Sequence, residues 1–295
     1  MGGGMIRQRG GTTGWLYAVP ALLLFLLVIV IPTLFTVTFS VADWQRFQLK
    51  GIGTMKHYMR LPLDITLGKA FRNTFLYMSY TVVFEIGTGL FLAAIAIRLR
   101  RSLLFRSLIF APVVLPSIVT GVLWQQAFAM EAGLLNRLLA VFGVESVRWL
   151  APPLTIFSIS LVSGWVWAGF FMTIFYAGLV RIPESISESA VLDGASPITI
   201  FFKIQLPLIR NLLVLALLIV TTGAFKGFDL FKVMLRRDPL ESGVVFPTYL
   251  VRTFFENRNI GYGSAISVLL TVVVLMIMGI VAVIRRVYVG DMEEY

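Results

Sequence analysis

Residues Trp15–Val41 read WLYAVPALLLFLLVIVIPTLFTVTFSV and contain no charged side chain. A helix needs about 20 apolar residues to cross about 30 Å of hydrocarbon, so this run is long enough to span a bilayer. It is also longer than the apolar core of a signal peptide, and no small-residue cleavage pattern follows it. We therefore expect the run to remain in the protein as its first membrane span.

Five further stretches meet the same requirement of length and apolarity. Backbone amides must be satisfied within lipid, so runs of this length are typical of helices, whereas barrel strands are shorter and alternating. The predicted fold class is all-α, a polytopic integral membrane protein with six transmembrane helices in a single domain over residues 1–295. The predicted spans are Trp15–Val41, Phe75–Ile97, Phe105–Met130, Leu150–Val180, Leu208–Phe228 and Tyr262–Ile284.

Composition excludes several classes of function. Hydrophobic residues make up 58% of the chain and charged residues 14%, and the mean hydropathy is +0.88, which indicates a lipid environment. Cysteine is absent and the only histidine is His57, so a thiolate site, a histidine triad or a multi-histidine metal site cannot be built. We expect no catalytic residue and no metal site, and hence a chain that is not an enzyme.

The formal net charge of +10 does not indicate nucleic acid. The basic residues gather between apolar runs, where Lys and Arg meet the headgroups of membrane lipid. Their distribution leaves the orientation open. The four arginines of Arg98–Arg106 favour cytoplasmic termini, but with that orientation more Lys and Arg lie in the outer loops than in the inner ones.

The segment between spans four and five, residues 182–207, predicts two short helices separated by a turn. Pro183 suits a first helical position, and Gly194 can adopt the left-handed conformation that ends a helix. Ser196-Pro197 resembles an N-cap followed by proline at the first position of a second helix. The first helix is too short to cross the bilayer and suits a piece that lies at its surface.

These residues resemble the cytoplasmic loop of binding-protein-dependent ABC permeases. The family pattern is Glu-Ala-Ala, three residues, Gly, and a later Ile-x-x-Pro, and Ser189 stands where the family has alanine. The positions that match are Glu188, Ala190, Asp193, Gly194, Ala195, Phe201, Ile204 and Pro207. The resemblance implies the type I ABC importer fold, in which this loop carries a coupling helix that seats in the ATPase subunit, here with Glu188, Ala190, Asp193, Gly194 and Ala195.

Other motifs extend the resemblance to nearly the whole chain and to the sugar-permease branch. They are Asn73-Thr74, Leu104-Phe105-Arg106 before Pro112 and Leu115-Pro116, Gly133-Leu134-Leu135-Asn136, and Gly261-Tyr262-Gly263. The resemblance places the 182–207 loop in the cytoplasm, and with it both termini, in a multi-pass protein of a prokaryotic cell membrane. It also implies four kinds of partner: a second homologous permease, two ATP-binding subunits, an extracytoplasmic solute-binding protein and lipid.

No Gly-x-x-x-x-Gly-Lys-Ser/Thr phosphate loop occurs in the sequence, so this chain cannot hold nucleotide by that mechanism. We expect no cofactor in the chain itself, and ATP and Mg in the partner ATPase subunits.

Candidate residues of the substrate path lie in three predicted spans. Glu85 is an ionisable group near the middle of span two, where it is costly and tends to face a cavity or a partner. The alternatives for it are a hydrogen-bond acceptor for the substrate, a structural pair with another span, and a protonated carboxyl. Lys226 offers a pair for Glu85, a substrate contact or a snorkelling side chain, and it leaves an anionic solute possible. By resemblance to the maltose importer, the path also includes Ser163, Val166, Trp167 and Phe170 on span four and Gly223, Ala224 and Gly227 on span five. Packing is the alternative for the aromatic residues.

Three other functions remain as alternatives. An ion-coupled secondary transporter would use the charged residues of the bundle but would not need the 182–207 pattern. An intramembrane protease needs a histidine within a span, and His57 lies outside the spans. A passive channel is not favoured, because the sequence contains no paired half-helix motif or filter.

Overall fold

The computed structural model describes residues 13–45, 48–99, 102–236, 238 and 241–289. These residues are mostly helical, which confirms the all-α class. The α-helices are α1 (Thr13–Phe25), α2 (Ile31–Ser40), α3 (Lys56–Arg60), α4 (Ile65–Thr81), α5 (Thr88–Arg98), α6 (Ser102–Phe110), α7 (Ser117–Ala127), α8 (Leu134–Val141), α9 (Thr155–Leu179), α10 (Glu184–Leu192), α11 (Pro197–Ile200), α12 (Leu206–Leu208), α13 (Arg210–Ala224), α14 (Asp229–Met234), α15 (Phe246–Val251) and α16 (Ile260–Val289). The π-helical segments are Leu26–Val30, Val82–Gly87, Phe201–Gln205 and Arg252–Glu256, the 3₁₀ segments are Leu61–Leu63 and Ala111–Val114, and the strands are β1 (Ala42–Gln45) and β2 (Gln48–Ile52).

Four helices of the described chain are long and apolar enough to cross a membrane, and up to six spans result if each of two bent pairs counts as one. The four are Tyr17–Ser40, Ile65–Arg98, Thr155–Leu179 and Ile260–Val283. The second begins at Ile65, ten residues before the predicted start at Phe75, because Asp64 caps the helix by accepting a hydrogen bond from the backbone N–H of Leu67 at 3.0 Å.

The remaining two predicted spans are bent. Leu103–Val114 and Ser117–Ala127 meet at 97°, at the break formed by Leu115 and Pro116. Leu115 is extended (φ −72°, ψ 133°) because the ring of the following proline disfavours a helical residue before it. Pro197–Leu208 and Arg210–Ala224 meet at 73°. The predicted third span, Phe105–Met130, is therefore broken, and the predicted fifth span, Leu208–Phe228, begins at a bend.

The chain divides into two compact units, and the first comprises the residues up to Leu63 together with Arg252–Leu270. Its strands form an antiparallel hairpin with Ala42 opposite Ile52 and Asp43 opposite Gly51. The sequence did not predict this hairpin. His57 is buried, and its Nε2 lies 3.1 Å from the carbonyl oxygen of Ala42. The polar stretch around His57 is therefore a folded part of the protein.

The second unit comprises Asp64–Val251 and the residues from Thr271. Its centre is α9, along which α4, the Val82–Gly87 segment and α5 pack. Two apolar clusters form the core of this unit. The first contains Tyr77, Phe128, Ile156, Ile159, Val162, Ala224, Phe231, Met234 and Val245, and the second contains Ala93, Phe171, Met172, Phe175, Leu179, Ile209, Ala216 and Val220.

The Asn73-Thr74 motif holds the segment before α15. Asn73 Nδ2 donates to the carbonyl oxygens of Ser242 at 3.2 Å and Val244 at 2.8 Å. Thr74 Oγ1 accepts from the backbone N–H of Phe246 at 2.9 Å. These bonds satisfy backbone groups that have no helical partner, which explains why Asn and Thr stand at these two positions.

Asn136 holds the turn that follows α8 through hydrogen bonds from its side chain. Its Oδ1 accepts from Val147 N–H at 3.0 Å and from Trp149 Nε1 at 3.1 Å, and its amide donates to the carbonyl oxygen of Val147 at 3.0 Å. The Gly133–Asn136 motif thus ends in a buried asparagine that fixes a loop.

Candidate functional site

A cavity of about 490 Å³ lies in the second unit. It is bounded by α4 with the Val82–Gly87 segment, by residues 113–120, by α9 and by the end of α13 with residues 226–230. The sequence-predicted path residues that line it are Glu85, Ser163, Val166, Trp167, Gly223, Ala224, Lys226 and Gly227. Residues from three separate predicted spans therefore meet at one cavity.

Glu85 is the buried ionisable residue of this cavity, with 6% of its surface exposed. Tyr77 OH donates to Ser163 Oγ at 3.1 Å, and Ser163 Oγ donates to Glu85 Oε1 at 2.7 Å. Both hydroxyl protons point towards the carboxylate, which is the acceptor end of the chain of bonds. A carboxylate is costly to bury without such donors, so the relay is what allows Glu85 to sit here.

The helix geometry around Glu85 explains why it faces the cavity. Tyr77, Thr81 and Glu85 follow one another at a spacing of four residues, which places them on one helix face, and all three line the cavity. The turn that carries Glu85, Val82–Gly87, is π-helical. Short π segments within α-helices occur frequently at functional sites.

The α9 side of the cavity depends on a close helix approach. Ser163, Trp167 and Phe171 recur at a spacing of four residues and form the lining stripe of this helix. A Cβ added to Gly164 would lie only 2.5 Å from the Cβ of Phe84, so glycine is what lets α9 approach the Val82–Gly87 segment. That approach brings Ser163 within hydrogen-bond distance of Glu85.

Polar groups of different character complete the lining. Lys226 and Asp229 are exposed; Lys226 lies in the turn after α13, and Asp229 is the first residue of α14. Thr120 on α7 is 1% exposed, and its Oγ1 has no hydrogen-bond partner among the described residues. Buried hydroxyls are nearly always paired, so Thr120 is an exception within the described chain.

The 182–207 loop forms a second candidate site at the surface. Gly194 has φ +80°, and Ala195 N–H donates to the carbonyl oxygen of Ala190 at 2.9 Å, which closes α10 in the predicted manner. Ser196 Oγ accepts from Thr199 N–H at 3.2 Å and caps α11, also as predicted. Pro183 is the N-cap of α10, one residue earlier than the predicted first helical position.

Comparison with known proteins identifies the chain. Residues 85–290 match the family described as binding-protein-dependent transport system inner membrane component. This chain belongs to that family. It is 31% identical to a probable ABC transporter permease protein of Bacillus subtilis, YurN, over 88% of this chain and 91% of the relative. It is 29% identical to the trehalose/maltose transport system permease protein MalF of Thermococcus litoralis, over 92% of each chain.

A solved structure supports the fold of this permease. The match is to a chain of the crystal structure of a bacterial alginate ABC transporter in complex with an alginate pentasaccharide-bound periplasmic protein. The TM-score is 0.82 with 19% sequence identity, over 93% of this permease and 94% of that chain. Together with the family match, this likeness confirms the ABC importer permease fold that the 182–207 loop implied.

One predicted path residue of this permease lies away from the cavity. Phe170 is not among the lining residues but packs against the cluster around Phe171 and Phe175, with its ring 5.3 Å from that of Phe171. The stripe from Ser163 through Trp167 continues at Phe171, four residues further along α9, and sequence analysis chose the neighbour. Alignment on the 182–207 loop indicates which part of α9 lines the path, but not which side chains of that part face the cavity.

Sequence reasoning missed several lining residues of this permease. Tyr77 and Thr81 lie eight and four residues before Glu85, so their helical spacing was a signal that the sequence carried. Thr120 was not recoverable in this way, because it reaches the cavity only through the bend at Leu115-Pro116. Outside the lining, Gln125 Nε2 on α7 donates to the carbonyl oxygen of Met234 at 3.2 Å.

Proposed function

We propose that this permease is the membrane subunit of an ATP-driven importer that takes up a sugar or sugar-like solute. Relatives named as trehalose/maltose and arabinooligosaccharide permease proteins support the solute class. The cavity lies within the range of small-molecule sites, about 300–1,000 Å³. Its lining joins the indole of Trp167 to the polar groups of Ser163, Thr120 and Glu85, and such a mixture suits a solute with both C–H and hydroxyl surfaces.

The importer contains further subunits in this proposal. A second homologous permease completes the translocation path, and an extracytoplasmic solute-binding protein delivers the solute, in keeping with the description of the family. Two ATP-binding subunits hold ATP and Mg, because this chain has no phosphate-binding loop. The permease itself is non-catalytic, and the 182–207 loop faces these subunits in the cytoplasm.

The observation that carries the proposal is the apolar surface of this loop. Leu192 is 88% exposed, Ile198 72%, Val191 60% and Phe202 59%. Val191 and Leu192 lie on α10, outside the membrane spans, where large apolar side chains are costly in water and mark an interface; the Gly194 cap holds α10 in a fixed position relative to α11. The opposite side of the loop is packed within the loop itself: Ala190 is buried, and Gln205 Nε2 donates to Ser187 Oγ at 3.4 Å. This surface seats in the ATPase and transmits its motion to the spans.

Substitution of Gly194 tests the coupling role. A Cβ at this position meets nothing within 4 Å, but φ +80° costs an L-residue about 1–2 kcal/mol, so α10 would end in another direction in Gly194→Val. We expect Gly194→Val to lose most binding-protein-stimulated ATP hydrolysis in reconstituted membranes and to reduce co-purification of the ATPase. Glu188→Gln should have a smaller effect, because an exposed ion pair is worth under about 1 kcal/mol.

Gly53 provides the matched control. It has φ +85° and equally open surroundings but lies in the first unit, after β2. Gly53→Val imposes the same backbone strain without touching the loop, so stimulated hydrolysis should survive in it. Normal coupling in Gly194→Val, or equal loss in both variants, would refute the assignment of this loop as the transmission element.

A further inference from the structure

The short helix α8 connects two helices that line the cavity, α7 and α9. Six residues, 128–133, separate Ala127 at the end of α7 from Leu134 at the start of α8. A chain of this length reaches at most about 25 Å even when fully extended. On the other side, α9 is by itself long and apolar enough to be a membrane span, and it begins at Thr155. α8 therefore lies close to the level at which these helices leave the bilayer.

One face of α8 is fixed to the protein. Asn136 is buried, and its amide donates to the carbonyl oxygens of Ala129 at 3.3 Å and Met130 at 3.1 Å, besides the bonds that hold the turn after α8. Leu135 packs against the first apolar cluster of the core. At the start of the helix, a Cβ on Gly133 would lie 2.2 Å from the carbonyl oxygen of Ala129, so the two backbones are in contact. These contacts fix the rotation of α8 about its axis.

The opposite face of α8 is exposed and apolar. The exposed fractions are 61% for Leu134, 51% for Leu138 and 79% for Val141. These residues are four and three positions apart, which places them on one side of the helix, and we call them the α8 stripe. A helix at a water-facing protein surface carries polar residues on the side away from the core. Because α8 is apolar on this side as well, it requires an apolar environment outside the protein.

The α8 stripe extends an apolar surface of the preceding helix. On α7, Ile118, Val119 and Leu123 are exposed, and Met130 after it is 46% exposed. Lipid tails are as apolar as these side chains. A surface that docks a water-soluble partner mixes apolar with polar groups, whereas the members of the stripe are all large and apolar. Lipid is therefore the occupant that the stripe fits.

The charges near the stripe suit the boundary of a bilayer. Arg137 on α8 and Arg148 after it are exposed, and an arginine can lie along apolar surface while its guanidinium group reaches a phosphate. Glu131 and Glu145 are exposed as well, so residues 131–148 carry no net charge. Burial of apolar surface, and not attraction to anionic lipid, is what holds such a segment in the membrane.

We propose that α8 is an interfacial membrane anchor, with its stripe in the boundary between the headgroups and acyl chains of phospholipid. Interfacial helices bury their apolar face about 5–10 Å into this boundary. Through Asn136 and Gly133, the anchor holds the end of α7 at a fixed level, and α7 is part of the cavity wall. The proposal is independent of which solute the permease transports.

Spin labels on single cysteines test the position of α8, because the chain has no cysteine of its own. Leu138→Cys and Val141→Cys report on the stripe. Ala140→Cys, exposed on α8 but outside the stripe, and Glu145→Cys, exposed after it, are the controls. The permease, assembled with its partner subunits, is placed in nanodiscs of phosphatidylcholine. Power saturation then measures collisions of each label with oxygen, which concentrates in lipid, and with nickel ethylenediaminediacetate, which stays in water.

We expect the ratio of oxygen to nickel collisions to be about fivefold or more higher in the stripe than at the two controls. Addition of phosphatidylglycerol or of the solute-binding protein should not change it. A ratio equal to that of the controls would place the stripe in water and refute the anchor. Few collisions with either reagent would show that a protein subunit covers the stripe, which refutes the anchor equally. A high ratio only in the presence of phosphatidylglycerol would overturn the assignment to apolar burial.

Thermal unfolding of the same complex tests whether the stripe contributes to stability. We expect Leu138→Gln to lower the Tm in nanodiscs by about 2–4 °C, because glutamine loses the burial in lipid that leucine has. Ala140→Gln, on the exposed side outside the stripe, should change the Tm by less. Substitutions of side chains that face water have little effect, so an unchanged Tm in Leu138→Gln would contradict the anchor.

Discussion

At the scale of single residues, Glu85 shows how a helix bundle accommodates a buried carboxyl group. The sequence offered Lys226 as its ion-pair partner, but the structure gives it a hydrogen bond from Ser163 instead, and Lys226 is exposed. Ser163 donates to Oε1, and the second carboxyl oxygen has no donor among the described residues.

His57 is the second residue whose setting matters. Burial lowers the pKa of this histidine below its ordinary value of 6.5, and its Nε2 lies against the carbonyl oxygen of Ala42. Gly261 packs so closely against the ring that a Cβ there would collide with it. The neighbouring Asp43 stays ionised at mildly acidic pH, because a hydrogen bond from Lys56 lowers the pKa of its carboxyl. His57 therefore dominates the titration of this region between neutral and mildly acidic pH.

The pH dependence of stability follows from this setting. The native state binds the His57 proton only below the pH at which the unfolded chain binds it, so stability is full above about pH 6.5 and falls as the pH drops below it. The slope from this group is at most about 1.4 kcal/mol per pH unit. We expect the Tm of the detergent-solubilised chain to fall more between pH 7.5 and 5.5 than that of His57→Gln, which keeps a side-chain donor but does not titrate. Equal falls would contradict the prediction.

At the scale of elements, the sequence predicts helix ends that depend on neighbouring residues, but not pairings and angles that depend on distant ones. The Gly194 turn and the Ser196 cap were predictable because their chemistry is contained within a few residues. The hairpin Ala42–Ile52 was not, since a pairing of short polar strands has little periodicity to recognise. The bend at Leu115-Pro116 follows from proline chemistry, but its 97° angle depends on packing against other helices. Thr120 lines the cavity only because of that bend.

Close contact between two helices at glycine residues shapes the site. A Cβ on Gly89 would lie 2.6 Å from the Cβ of Phe171 and 3.0 Å from the backbone nitrogen of Met172. A Cβ on Gly164 would lie 2.5 Å from the Cβ of Phe84. Both glycines therefore mark places where the Ile65–Arg98 helix and α9 approach each other closely, as small residues allow at helix interfaces in membranes.

Alanine at these two glycines should push the helices apart. We expect Gly89→Ala and Gly164→Ala each to destabilise the chain by about 1–3 kcal/mol, because the clashing atoms are backbone or Cβ and cannot swing aside. Gly223→Ala is the control, since its Cβ meets nothing within 4 Å and alanine is favoured over glycine in a helix by about 0.5–1 kcal/mol. Thermal unfolding in detergent measures all three. A Gly89→Ala variant as stable as Gly223→Ala would contradict this prediction, because the two helices would then accommodate the added methyl group without loss of stability.

At the scale of the whole molecule, the number of spans fixes the side on which each loop lies. Four helices cross by length and composition alone, and six do so if each bent pair is one span. Both counts are even, so both put the termini on the same side of the membrane. The two counts differ in the side of the membrane on which they place the later loops. Only the six-span arrangement places α10 on the side of the termini, where the proposed coupling to cytoplasmic ATPase requires it.

Single cysteines distinguish these arrangements because the chain has none of its own. Leu63, Phe142 and Glu184 are exposed positions in three different connections, with Leu63 80% and Phe142 82% exposed. With six spans and cytoplasmic termini, an impermeant thiol reagent applied to intact cells should label Leu63→Cys and Phe142→Cys, and Glu184→Cys only after permeabilisation. With four spans and the same termini, Leu63→Cys stays labelled but the other two exchange, because the bent pairs no longer cross. With six spans in the opposite orientation, labelling from outside would be confined to Glu184→Cys, and the loop that carries the functional proposal would face away from ATP.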